Sequence, residues 1–127
     1  GVAAPAPAPN EAARIAVKTA LAQVGDPYVW AAEGPDTFDC SGLTMYAWAA
    51  AGVSLPHHSG TQYAETPRVE RFDLQPGDLM FFGSPIHHVT MYIGNDQMVE
   101  APYTGAQVRV VPADRWDDYA GAGRPGV

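Results

Sequence analysis

Apolar residues follow a helical period in the first half of the chain and a strand period in the second. After Asn10, a good N-cap, Ala13, Val17, Ala20, Leu21 and Val24 fall on one helical face until Gly25 stops the helix. A second helix is predicted from Ser41 to Ala51, where Leu43, Tyr46, Ala47 and Ala50 recur at helical spacing and Gly52 supplies the stop. The stretch between them, GDPYVWAAEGPDTF, is rich in Gly and Pro and reads as an ordered loop carrying Tyr28, Trp30 and Phe38. Residues Leu55 to Thr66 begin with a turn and have room for one more short helix. Beyond them the period falls to two. Strands are predicted at Asp78 to Phe82, His88 to Ile93, Gln97 to Pro102 and Val108 to Val111, separated by Gly, Asn or Pro signals. Pro112 to Tyr119 is predicted to form a helical turn, and the closing GAGRPGV to be loose.

Consecutive short strands with tight turns pair antiparallel, so helices followed by strands give an α+β domain with the helices on one face of an antiparallel sheet. Residues 1–9, GVAAPAPAP, alternate Ala with Pro and cannot make regular helix hydrogen bonds. They read as a linker, residues 10–120 as the domain and 121–127 as a C-terminal tail. At 127 residues and 46% hydrophobic, the chain supports a single core. No apolar run reaches the roughly 20 residues of a membrane span. A formal net charge of -7, with 7 Lys and Arg against 14 acids, leaves no basic face for nucleic acid.

The single cysteine, Cys40, is necessarily without an intrachain disulfide partner. It falls at the predicted start of the second helix, between Asp39 and Ser41-Gly42. Unpaired N–H groups and the helix dipole favour an anion there, and a thiolate is such an anion. The same N–H groups can hold a tetrahedral oxyanion. The alternative is a capped helix with Asp39 as N-cap and Cys40 as a packed first-turn residue. Base candidates are the pairs His57-His58 and His87-His88. Neighbouring strand residues point to opposite faces, so neither pair forms a two-ligand metal site. His88 opens the strand HVTMYIG, with Thr90 and Tyr92 on its side and Val89, Met91 and Ile93 on the other. Glu100 lies twelve residues further, across the loop Gly94-Asn95-Asp96. An odd loop puts residues twelve apart on one face, so Glu100 is expected beside His88 or one diagonal step away, where a carboxylate orients an imidazole. Otherwise Glu100 is an ordinary solvent-facing glutamate.

Taken together these segments resemble the NlpC-type cell-wall peptidase family, whose domain is a reduced papain-like fold. The motifs are YVWAAEGPDTFDCSGL around Cys40, LPHHSGTQY from Leu55, LQPGDLMFF from Leu74 and HVTMYIGNDQMVEAP from His88, and the likeness spans about residues 11 to 120. It implies Cys40 as nucleophile, His88 as general base and Glu100 as the third, polar member. Many members carry His, Asn or Gln in that third place; a glutamate is similar to the actinobacterial endopeptidases that partner resuscitation-promoting factors. His57-His58-Ser59 stands where Arg-Thr-Ser is common, and Ala31-Ala32 where Gly-Gly is.

The resemblance further implies a secreted, cell-wall cysteine endopeptidase that hydrolyses the bond from D-glutamate to a diamino acid such as meso-diaminopimelate in peptidoglycan stem peptides. A thioester acyl-enzyme, no metal or cofactor, and a monomer that works beside other cell-wall hydrolases are part of that expectation. Tyr28, Asp39, Ser59 and Gln62 are the implied substrate contacts. Competing readings are an amidase or acyltransferase on the same fold, a catalytically silent wall-binding module, and a structural domain with a core cysteine.

Overall fold

The computed structural model describes residues 6–127; Gly1 to Pro5 of the expected linker lie outside them. Helix α1 (Glu11–Ala22) starts where Asn10 accepts a hydrogen bond from the Ala13 N–H at 2.9 Å, and buries Ala13, Ala16, Val17 and Ala20. Helix α2 (Cys40–Ala50) packs on it through small residues. Trp48 and Thr44, and not Ala50, sit on its buried face, and the indole N–H of Trp48 donates to the Gly77 carbonyl at 3.1 Å. Short α3 (Ser59–Glu65) is capped by His58, whose Nδ1 accepts from the Thr61 N–H at 3.2 Å. No helix among the described residues is long and apolar enough to cross a membrane.

Among the described residues six strands form one antiparallel sheet: β1 (Arg68–Val69), β2 (Leu79–Phe82), β3 (His88–Gly94), β4 (Gln97–Glu100), β5 (Arg109–Pro112) and β6 (Tyr119–Gly123), in the order β1-β6-β2-β3-β4-β5. The helical turn expected at Pro112 to Tyr119 is reduced to a single tight turn, closed by the Arg115 N–H on the Pro112 carbonyl at 3.0 Å, and the expectation of a loose C-terminal stretch is corrected. β6 inserts between β1 and β2, pairing Leu79 with Gly123 and Met80 with Ala122. Beyond it, Arg124 grips the buried Asp78 with Nε and Nη2 at 2.9 Å each. YAGAG is poor in the β-branched residues that mark strands, so its small side chains hid an interior strand. At the other end Ala6 donates its N–H to the Ile93 carbonyl at 3.0 Å, which fastens that part of the Ala-Pro stretch to β3.

Strand alternation divides the core in two. Leu79, Phe81, Val89, Met91, Ile93 and Val99 face the helices. Met80, Phe82 and Met98 face the other way and are covered by Ala113, Trp116 and Tyr119, so both faces of the sheet are closed. His88 stands opposite Phe82 in the register and belongs to this second face.

The hairpin between β3 and β4 sets which face Glu100 takes. Its turn is Asn95-Asp96, both with positive φ (56° and 57°), closed by Gly94 opposite Gln97. A register shift between Tyr92 and Gly94 then restores even-sum pairing, Met91 with Val99 and Tyr92 with Met98. The expected three-residue loop is therefore a two-residue turn plus a bulge with the same parity. Glu100 lands on the His88 face, one diagonal step from it.

Candidate active site

Cys40 is the first residue of α2, half-buried, and Asp39 is the N-cap whose carboxylate accepts from the Gly42 N–H at 2.7 Å. The loop before it is tied down by its backbone: Tyr28 N–H to the Ala106 carbonyl at 2.9 Å, Val29 to Phe38 at 3.0 Å and Asp39 to Ala32 at 2.8 Å. Gly42 lets that loop lie on the helix. A Cβ there would stand 2.2 Å from the Ala32 carbonyl oxygen and 2.9 Å from an Asp39 carboxylate oxygen. Gly42→Ala is accordingly expected to cost about 1–3 kcal/mol of stability and to slow thiol alkylation, read by thermal unfolding and iodoacetamide kinetics. Wild-type values for both would show that the close approach is dispensable.

His88 and Glu100 meet as the parity argument anticipates: Nε2 of His88 lies 2.9 Å from Oε1 of Glu100. With that nitrogen engaged, Nδ1 is the one left for Cys40. Burial alone would push the imidazole down. Hydrogen bonding to Cys40 and to Glu100, together with their negative charges, outweighs burial and raises its pKa to about 9. Glu100 is 0% exposed. Burial pushes its carboxyl up, but hydrogen bonds from His88, Trp116 and Arg109 and the His88 charge hold it below the ordinary carboxylate value. Trp116 Nε1 donates to Oε1 at 2.7 Å; Arg109 Nε donates to Oε2 at 3.0 Å. Glu100 is thus no solvent-facing glutamate.

Sequence reasoning missed Arg109 and Trp116. Arg109 is the cross-strand partner of Glu100 in the β4–β5 ladder, but the long connection between those strands hides the register. Trp116 sits in the segment that was expected to form a helical turn.

Two cavities flank the thiol and share Tyr28, Cys40 and His87. One, of about 200 Å³, contains His88, Phe82 and Trp116. The other, of about 430 Å³, contains Asp39, His57, His58 and Ser59, with the 81% exposed Trp30 at its edge. Burial raises the Tyr28 pKa, and the charges of Cys40 and Asp39 raise it further. His57 reaches Asp39 with Nε2 at 2.8 Å and Glu33 with Nδ1 at 3.0 Å, so it ties the N-cap of α2 to the preceding loop. His87 pairs with Asp118 at 2.8 Å.

Of the expected substrate contacts, Tyr28, Asp39 and Ser59 line this larger cavity. Gln62 does not. It is fully buried, accepting from Thr44 at 2.8 Å and donating to the carbonyls of Ser41 and Pro56 at 3.0 and 2.8 Å, so it braces α3 against the start of α2.

The NlpC/P60 family model matches residues 25–123. The probable endopeptidase p60 of Listeria monocytogenes is 45% identical over 111 residues, covering 85% of this chain and 23% of that protein. The peptidoglycan endopeptidase RipA of Mycolicibacterium smegmatis is 39% identical over 117 residues, covering 81% of this chain and 24% of its own length. The chain therefore spans about a quarter of the length of these relatives. Among solved structures, an NlpC/P60 family protein from Bacillus cereus superposes with a TM-score of 0.85 at 35% identity, over 93% of this chain and 41% of that one.

Proposed function

We infer the activity from one premise: the chain belongs to the NlpC/P60 family. The reading is a peptidoglycan endopeptidase in which Cys40 is the nucleophile, His88 the proton carrier and Glu100 its orienting carboxylate. The observation that carries it is the buried His88–Glu100 contact at 2.9 Å with the His88 pKa at about 9 beside Cys40. At neutral pH that imidazole is an imidazolium, the partner a thiolate needs.

The thiolate attacks the carbonyl carbon of a stem-peptide amide, and the oxygen takes up the negative charge. The N–H of Cys40 is a donor that α2 itself does not use, and it is available to that oxyanion. Collapse breaks the C–N bond; His88 gives its Nδ1 proton to the leaving amine, and a thioester remains. Neutral His88 then takes a proton from water, whose oxygen attacks the thioester and releases the acid and the thiolate. The leaving amine occupies the smaller cavity, which His88 lines. The acyl portion occupies the larger one beside Tyr28, Asp39 and Ser59.

By family likeness the scissile bond runs from the γ-carboxyl of D-glutamate to the diamino acid, and the protein acts in the cell wall. N-acetylmuramoyl-L-Ala-γ-D-Glu-meso-diaminopimelate incubated with the protein should give the N-acetylmuramoyl dipeptide and free diaminopimelate by mass spectrometry. Cleavage of the sugar-to-peptide amide instead, or acyl transfer without hydrolysis, would overturn the endopeptidase reading in favour of the amidase or acyltransferase.

A further inference from the structure

Glu100 takes donors from three separate parts of the fold: His88 on β3, Arg109 on β5 and Trp116 ahead of β6. A buried carboxylate balanced by an imidazolium alone meets a difficulty during turnover. When His88 gives its proton to the leaving amine, the anion is left without a cation inside the protein. Arg109 answers this, because a guanidinium keeps its charge under any condition of the reaction. Its Nε and Nη2 lie 3.0 and 2.9 Å from Oε2, the oxygen that His88 does not use. Trp116 Nε1 donates at 2.7 Å to Oε1, the oxygen that His88 does use, and its ring meets the imidazole edge-on at 5.8 Å.

We infer that Arg109 and Trp116 are positioning residues that keep Glu100 a carboxylate throughout the catalytic cycle, whether His88 carries one proton or two. The assignment rests on the hydrolytic reading above. Acylation moves the Nδ1 proton to the leaving amine, while Nε2–H stays on Oε1. The ring is thereby held in the tautomer whose Nδ1 lone pair accepts a proton from water in deacylation. The other ionisable groups near His88 are Cys40 from α2, Tyr28 from the preceding loop, and the exposed His87, Asp117 and Asp118 at the rim of the smaller cavity. Solvent screens the three exposed groups more strongly than the buried set.

The test is the carboxyl titration of Glu100, followed by carbon-13 NMR in glutamate-labelled protein, beside steady-state kinetics on the stem tripeptide. In Arg109→Gln the Glu100 midpoint should rise by roughly one to three units. Its kcat should fall more than tenfold with KM little changed, because proton exchange and not binding is impaired. Arg109→Lys should recover most of the midpoint, since the charge returns, but only part of kcat, since the fixed Nε hydrogen bond to Oε2 does not. Trp116→Phe keeps the ring against His88 and removes the N–H; its kcat should fall several-fold with a smaller change in midpoint. An unchanged Glu100 midpoint in folded Arg109→Gln, even at reduced turnover, reduces Arg109 to a packing role and overturns the inference. A wild-type protein that cleaves no stem peptide overturns the hydrolytic reading, whereas the carboxyl titration decides the hold on Glu100 by itself.

Discussion

Cys40→Ala should bring stem-peptide hydrolysis down to background, at least about a 10⁴-fold fall, with the fold and both cavities retained. Alanine fits where the half-buried thiol sits, and the N-cap that starts α2 is the side chain of Asp39, which the change leaves alone. Only the group that forms the acyl bond is lost. His88→Ala should give a loss of the same order, because it removes the proton carrier of both half-reactions while leaving the thiol in place. The two variants separate by alkylation: His88→Ala keeps a thiol that reacts slowly at neutral pH, and Cys40→Ala has none. Residual turnover above a hundredth of wild type in Cys40→Ala would show that another residue reacts with the substrate, or that the domain works as a wall-binding module with hydrolysis from a contaminant.

Glu100 carries the second large effect, and it divides between activity and stability. Glu100→Gln keeps the shape and removes the charge, so His88 loses a large part of what raises its pKa to about 9. Turnover should fall on the order of 10²-fold, less than for Cys40→Ala, with the alkaline limb of the rate profile displaced to lower pH. Glu100→Leu should in addition destabilise the protein by about 3–5 kcal/mol, because Arg109 and the ring of His88 are left without their buried partner. Thermal unfolding of both variants checks this. Equal stability of Glu100→Leu and wild type would mean that the cluster contributes nothing net.

The pH dependence of stability follows with opposite signs at the two ends. His88 has its folded pKa raised above 6.5, so its contribution is fully present below 6.5 and is lost as the pH rises through about 9. Glu100 has its folded value lowered below 4.5, so its contribution is present above 4.5 and is lost as the pH falls through the folded value. Between these limits wild type should show a stability plateau that Glu100→Gln lowers.

Periodicity located α1 and α2 to within a residue or two at most of their ends, because Asn10, Asp39 and the glycines after each helix act locally. It misplaced the buried face of α2: an alanine-rich helix has little contrast between its sides, and Ala50 is exposed where Trp48 is buried. The His88–Glu100 relation was legible because parity across a short hairpin needs no tertiary information. Arg109 and Trp116 lie 9 and 16 residues from Glu100, and their contacts depend on a long connection and on a covering segment whose course is set by packing. Gln62 was legible as a polar residue of a shared motif, but not as a strut. A buried amide with three partners looks, in sequence, the same as one reaching into a cavity.

The bulge at Tyr92 to Gly94 turns hairpin length into a chemical variable. Most surface hairpins tolerate the gain or loss of one residue with a small change in loop entropy. Here a single-residue deletion in the Asn95-Asp96 turn would have to be absorbed by the bulge, or else the Met91 to Val99 register would slip. A slip by one exchanges the two faces of β4, presenting Val99 or Ala101 to His88 and driving the carboxylate of Glu100 into the apolar layer beneath α2. Natural length variation among relatives should therefore cluster in the connection after β4 and be scarce in this turn, with any one-residue change matched by loss or gain of the bulge.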